Sequence, residues 1–438
     1  MAATLVVWLL SALLLVGVLT QSWWEPRLAE RGFPVRRWPW RWWLTGYPVT
    51  VLRVLTTWRR LAHLSGLAVS VRPERRLIGG DLVVEGRALR PRAPRLSWPV
   101  PTAHGFTLRL LLHPGQTPAK YFAAAQAMAH AWQVHHVRVT SPRRGVVVVH
   151  VTAIDPLTGD VPSSTPRTHL LCADVGRTED GEPWLIDLRS VPHWLITGAT
   201  QSGKSSLLAA VVLALSRQPV ALVGIDCKGG MELGRFAGRL SALATDRAHA
   251  IALLGRAVDE IHARTRQCRR AGTRTVWDLP EDARPVPLVV LVDELAELYL
   301  HDGTRQDRED AEQCGTLLLR IAQLGAALGV HLILAGQRVG SDLGPRATAL
   351  RAQLGGRVCH RAHDQASAEM TLGDIAPDAV VTAQTIGEHE RGVAVTTTGA
   401  DWVRARSRLI TPADVDDISR TDPHPFSGLR VEKADVTA

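Results

Sequence analysis

The sequence contains no C-x-x-C pair and no cysteine with a close histidine partner; its five cysteines, Cys172, Cys227, Cys268, Cys314 and Cys359, are scattered. That pattern suggests neither a zinc site nor a disulfide framework and reads as reduced, cytosolic thiols. Lysine is nearly absent: among 51 basic residues only Lys120, Lys204, Lys228 and Lys433 are lysines. Such a bias fits a GC-rich genome, and it makes each surviving lysine informative, because it can mark a position that needs a compact ammonium rather than a planar guanidinium. No repeat at a fixed period is visible. A charge excess is also missing from most of the chain. Of the net +9, a local +10 lies between Gln21 and Val100, where 15 arginines face five acids. The remainder is close to neutral, so net charge gives it no nucleic-acid signal.

What is present is a 438-residue chain, 46% apolar, with room for two or three packed domains. Residues 2–20 form a run of 19 without a charge. At 1.5 Å per residue this is about enough for a helix to cross a hydrocarbon layer of roughly 30 Å. We read residues 1–22 as a single-pass anchor in the cell membrane; a cleaved signal peptide would want a basic residue before the apolar stretch. The following segment, residues 23–60, is dense in arginine (Arg27, Arg31, Arg36, Arg37, Arg41). By the positive-inside rule this puts the N-terminus outside and the rest of the chain in the cytoplasm. Tryptophans crowd the same segment, and Trp42 to Trp58 reads as an interfacial helix, or as a second, short span interrupted by Arg53. Residues 61–105, broken by Pro73, Pro91, Pro94, Pro99 and Pro101, read as a linker or edge-strand region.

Residues 106–165 carry the pattern of a small α+β domain, with strands at FTLRLLL, HHVRVTS and GVVVVHV and a helix between the first two. Across 166–411 strands and helices alternate, as in a mainly parallel α/β sheet. The strand-like runs are residues 193–197, 220–226, 286–294, 331–336 and 356–361. Residues 412–438 read as an acidic tail.

Three constellations carry chemistry. Gly198-Ala199-Thr200-Gln201-Ser202-Gly203-Lys204-Ser205, followed by Ser206, fits the phosphate-binding loop G-x-x-x-x-G-K-[ST]. Its glycines let backbone N–H groups face a phosphate, the next helix points its positive end there, Lys204 would neutralise β- and γ-phosphate charge, and Ser205 would ligate Mg²⁺. ATP and Mg²⁺ are therefore the expected ligands. Asp293-Glu294 ends an apolar strand about 90 residues later. One carboxylate there, Asp293, would hold Mg²⁺ through water, and Glu294 would act as general base on the attacking water. Gln337, after the strand at 331–336, would bond the γ-phosphate and the same water. A cluster at Arg264, Arg266, Arg269, Arg270 and Arg274 is a candidate basic patch, or simply a solvated helix.

Together these segments resemble the FtsK/SpoIIIE family of DNA-pumping ATPases. The resemblance runs through PHWLITGATQSGKSS, IDCKGGMEL, PLVVLVDELAEL and RIAQLGAALGVHLILAGQR and covers roughly residues 106–410, the small α+β domain included. It implies a RecA-like P-loop motor assembling as a homo-hexameric ring around double-stranded DNA, with an arginine from a neighbouring subunit completing the site. Where the family usually carries that arginine this chain has Ala326, leaving Arg320, Arg357 and Arg361 as substitutes. One anchor and a basic flank stand in place of the chromosomal pumps' multi-helix membrane domain, and an acidic tail in place of their sequence-reading winged helix. The layout is closer to transfer proteins of actinobacterial plasmids and integrated elements. The implied activity is ATP-driven translocation of double-stranded DNA in conjugative transfer, and whether a separate DNA-recognition protein is a further partner stays open at this point. The alternatives are a protein-export motor of the type VII secretion class and a chromosome-segregation pump.

Overall fold

A computed structural model describes residue 16 and residues 42–69, 92–158, 169–340, 343–373, 379–398 and 401–424. The chain divides into two compact units, Met1–Pro156 and Leu157–Ala438.

In the first unit a helix, α1 (Tyr47–Leu64), precedes the strands β1 (Val100–Pro101) and β2 (Gly105–Leu111), the short helices α2 (Ala119–Ala123) and α3 (Ala125–Trp132), and the strands β3 (His136–Arg143) and β4 (Val146–Thr152). The sheet is antiparallel in the order β1-β2-β4-β3. Successive side chains on a strand alternate faces, and Phe106, Leu108 and Leu110 of β2 meet Val147, Val149 and Val151 of β4 in one buried cluster. The helices supply the other half of that core. Trp58 of α1 lies 6.4 Å from the ring of Trp132 and donates its indole N–H to the Pro94 carbonyl at 2.9 Å.

This corrects one expectation and bears out part of another. The helix at Trp42–Trp58 exists, but Trp42, Val54 and Trp58 face protein, because the sheet needs a covered apolar face. It is not a second span: among the described residues no helix is long and apolar enough to cross a membrane. Residues 92–101, expected as a linker or edge-strand region, take the edge-strand form: β1 lies at the edge of the sheet, and Tyr47 Oη donates to the Pro99 carbonyl at 2.7 Å. The expected anchor, residues 2–20, lies outside the described residues except for Val16.

The second unit is built on one ten-stranded sheet. Its elements are β5 (Cys172–Thr178), β6 (Pro183–Asp187), β7 (His193–Thr197), α4 (Lys204–Ser216), β8 (Ala221–Ile225), β9 (Ala242–Ala244), α5 (Arg247–Ala271), β10 (Leu288–Val292), α6 (Ala296–Tyr299), α7 (Arg305–Leu324), β11 (Val330–Gly336), α8 (Pro345–Gln353), β12 (Gly356–His360), α9 (Gln365–Leu372), α10 (Ala379–Thr385), β13 (Val393–Thr398), β14 (Asp401–Ser407) and α11 (Pro412–Ser419). The strand order is β6-β5-β14-β13-β12-β7-β11-β10-β8-β9. From β12 to β9 every pairing is parallel; the β13, β14, β5 and β6 extension is antiparallel. Strands β7, β8, β10, β11 and β12 are buried at every residue, as parallel strands covered on both faces must be. Helix α4 is apolar on all sides and accordingly sits inside the core.

The end of the chain also differs from expectation. Part of the presumed acidic tail is the helix α11, started by a capping box between Thr411 and Asp414 and docked through buried Ile418 and an Arg217–Asp417 pair at 2.6 Å. Residues 425–438 lie outside the described residues.

Candidate functional site

The parallel strands β7, β11, β10 and β8 all end at the same edge of the sheet, where open α/β sheets bind ligands. The loop after β7 turns sharply into α4. Gly198 takes φ +156° and Gly203 φ +117°, and a Cβ on Gly203 would lie 2.6 Å from the Gly392 backbone. Only glycine fits there. The loop is pinned from its neighbours: Ala199 N–H donates to the Arg361 carbonyl at 2.8 Å, and Gly392 N–H to the Ser202 carbonyl at 2.9 Å. Beneath it lies His360, fully buried and held by a contact of Nδ1 to the Val393 carbonyl at 3.0 Å; burial pushes its pKa down to about 4.

A cleft of about 700 Å³ opens over this loop. It is lined by Ala199, Thr200, Gln201, Gly203, Lys204, Ser205 and Ser206, by Asp293, Glu294 and Gln337, and by Lys228, Glu232, Arg391, Ser407 and Arg408. All four expected catalytic residues therefore share one cleft with seven of the nine expected loop residues. The other two, Gly198 and Ser202, shape the loop instead. Ser202 is buried, and the Gly198 carbonyl accepts from Lys204 Nζ at 2.7 Å.

Burial lowers the Lys204 pKa, while the carboxylates of Glu294 and Asp293 act in the opposite direction. Asp293 follows β10, and its N–H donates to the Ile225 carbonyl at 3.1 Å. Its carboxyl pKa is pushed up to about 6 by burial and by Asp226, with Lys228 opposing. Glu294 is held by two donors: Lys228 Nζ at 3.3 Å on one oxygen and the Gln337 backbone N–H at 3.2 Å on the other. The arrangement can take a polyphosphate at the helix terminus, a hard cation beside Ser205 and Asp293, and a water next to Glu294.

Lys228, Glu232, Arg391, Ser407 and Arg408 line the cleft although none of them carried a site role in the sequence reading. For Lys228 a signal existed, since it is a lysine retained in an arginine-biased chain. The structure separates the candidate basic patch. Arg264 is buried, paired to Glu260 at 2.8 Å and donating to the carbonyls of Leu328 and Val286, whereas Arg266, Arg269, Arg270 and Arg274 are exposed. Of the substitute arginines, Arg357 is buried and donates to the Arg351 carbonyl at 2.6 Å, Arg361 pairs with Glu388 at 3.1 Å, and Arg320 faces solvent on α7.

Comparison with known proteins agrees with this geometry. Residues 33–153 match the actinomycete conjugal transfer protein N-terminal domain, and residues 162–282 and 277–341 match the FtsK/SpoIIIE family. A transfer protein, TraSA of Streptomyces ambofaciens, is 40% identical over 369 residues, which is 81% of this chain and 88% of the relative. The chain belongs to the FtsK/SpoIIIE family. It is a P-loop ATPase of that family, and its first unit matches the actinomycete transfer domain. A DNA translocase FtsK of Sporosarcina ureae is 32% identical over 199 residues, 41% of this chain but only 24% of that larger protein. Among solved structures, the pCW3 conjugation coupling protein TcpA, in monomer form with ATPγS, superposes with a TM-score of 0.55 at 20% identity. That likeness covers 75% of this chain and 93% of TcpA and bears on the fold alone.

Proposed function

We propose that this FtsK/SpoIIIE-family protein is a membrane-anchored motor that hydrolyses ATP to move double-stranded DNA in conjugative transfer. The observation that carries the hydrolytic half is the pairing of Glu294, fixed by Lys228 and the Gln337 N–H, with the phosphate loop in one cleft. DNA as cargo rests on family membership, and transfer on the likeness to TraSA through both units.

In this reading the loop from Gly198 to Ser206 cradles the phosphates and Lys204 leaves the Gly198 carbonyl to neutralise them. Glu294 takes the proton of the attacking water, and Gln337 senses the γ-phosphate. The donors present fit Mg²⁺: Ser205 offers a hydroxyl, and Asp293 is a buried carboxylate crowded by Asp226, Glu232 and Glu294, with Lys228 as the opposing cation. Ser205 would hold the ion directly and Asp293 through water, and the ion would supply charge neutralisation at the phosphates. Residues 2–20 would anchor the chain, with the ATPase unit in the cytoplasm. A homo-hexamer would close the ring around DNA, since repeated head-to-tail interfaces must close or polymerise. A separate protein would choose the DNA.

The test is ATPase rate with and without linear duplex DNA across salt concentrations. DNA stimulation that weakens as salt rises supports the proposal, because phosphate contacts release counterions. No response to DNA at low salt would overturn it.

A further inference from the structure

Two lysines, not one, face the nucleotide cleft. The second, Lys228, sits on the loop that follows β8, and that loop is built to hold it. The carboxylate of Asp226, itself buried, accepts the backbone N–H groups of Lys228 at 3.3 Å, Glu232 at 2.8 Å and Leu233 at 2.9 Å, tying both ends of the loop to one point. Gly229 and Gly230, at φ +74° and +75°, then bend the chain away immediately after Lys228. The side chain is thereby thrown across the end of β10, where its ammonium meets Glu294 Oε2 at 3.3 Å.

The two partners differ in environment. The Glu294 side chain is 7% exposed and that of Lys228 is 41% exposed, its open side facing the cleft. Glu294 uses one N–H of the ammonium, which leaves the others directed at whatever fills the cleft. Lys228 also lies close enough to Lys204 for the two charges to repel. Two mutually repelling ammoniums around one cavity are stabilised by an anion between them. A surface ion pair kept for stability alone would not be placed beside the reaction's base, and a planar guanidinium in this position would lock both carboxylate oxygens.

We propose that Lys228 is a catalytic cation acting in cis: alongside Lys204 it contacts the γ-phosphate oxygens while its pairing orients Glu294. The reaction is the hydrolysis already described, on which this inference rests. Water oxygen bonds to the γ-phosphorus, the bond from that phosphorus to the β,γ-bridging oxygen breaks, ADP leaves, and the water proton passes to Glu294. Lys228 neutralises charge spread over the γ-oxygens and transfers no proton.

The test uses the full chain without DNA, so that it is independent of the cargo. Lys228→Met and Lys228→Gln are compared with wild type in single-turnover ATP hydrolysis and in ADP affinity. The expected result is a loss of about 10²–10³-fold in hydrolysis, the usual effect of removing one transition-state donor, with ADP affinity changed less than about three-fold. Equal losses in both quantities, or hydrolysis near wild type, would overturn the proposal. A mixture of Lys204→Ala and Lys228→Met chains separates cis from trans action. A cis role leaves the mixture as inactive as its components, whereas recovered hydrolysis would mean that Lys228 serves a neighbouring chain's nucleotide and would refute the assignment. Should DNA fail to stimulate the wild-type enzyme, the cargo reading falls while these results still decide the role of Lys228.

Discussion

Replacing Arg264 by alanine should destabilise the ATPase unit far more than replacing any arginine near it in sequence. Arg264 is 2% exposed and spends its guanidinium on Glu260 at 2.8 Å, on the carbonyls of Leu328 and Gly329 at 2.8 and 3.2 Å, and on that of Val286 at 2.7 Å. Truncation leaves the Glu260 charge buried without its partner, which costs about 3–5 kcal/mol. In a unit of this size each kcal/mol lowers the melting temperature by about 2–4 °C, so the shift should be on the order of 10 °C. Arg266→Ala and Arg269→Ala, at exposed positions of the same helix, should stay within about 0.5 kcal/mol of wild type. The assay is urea unfolding followed by tryptophan fluorescence; Trp277 lies beside Gly329 and reports on this joint. A second substitution, Glu260→Gln in the Arg264→Ala background, should recover part of the loss by removing the stranded charge. Equal midpoints for Arg264→Ala and Arg266→Ala would refute the reasoning.

Four further outcomes follow from the structure. Lys204→Ala should abolish turnover, while Glu294→Gln should bind ATP and fail to hydrolyse it; nucleotide binding measured beside phosphate release checks both. Gly203→Ala puts a Cβ 2.6 Å from the Gly392 backbone at a φ of +117°. Backbone strain of about 1–3 kcal/mol should appear as a lower melting temperature together with weakened nucleotide binding. Trp58→Ala empties a fully enclosed site in the first unit and should cost about 3–5 kcal/mol there, read by hydrogen exchange at β2 and β4. The pH dependence is set by burial, which lowers the pKa of His193 to about 4, of His331 to about 3 and of His360 to about 4. Their folded-state values lie below the unfolded 6.5, so the unfolded chain takes up protons first and stability falls as pH drops from about 6.5 toward 4. Asp293, raised to about 6, and Asp174, also raised by burial, act with the opposite sign over part of that range, but the three histidines outweigh them. A urea midpoint that stays flat from pH 7 to 5 would contradict this.

The parallel half of the sheet was readable because strands buried on both faces must be apolar runs, and those at 193–197 and 356–361 have no competing interpretation. The phosphate loop was readable because its glycines answer to local backbone geometry. The antiparallel extension was not. A strand such as β6, only five residues at Pro183–Asp187 with burial alternating along it, is too short for its pattern to stand out until its partners are known. Arg264, Trp42 and Trp58 were misread for one shared reason. A charged or amphipathic side chain goes inward when distant carbonyls or an uncovered sheet face can satisfy it, and nothing local announces that. The helix α11 did leave a signal, Thr411 followed by Asp414, but three residues of capping weigh little against an acidic composition.

Displacement of a third strand from duplex DNA tests the central claim most directly. The full chain is mixed with linear duplex bearing a triplex-forming oligonucleotide, ATP is added, and release of the oligonucleotide is followed in time. The account predicts release that requires ATP hydrolysis, disappears in Glu294→Gln and Lys204→Ala, and slows as salt weakens phosphate contacts. Vigorous ATP hydrolysis with the oligonucleotide left in place at low salt would contradict it.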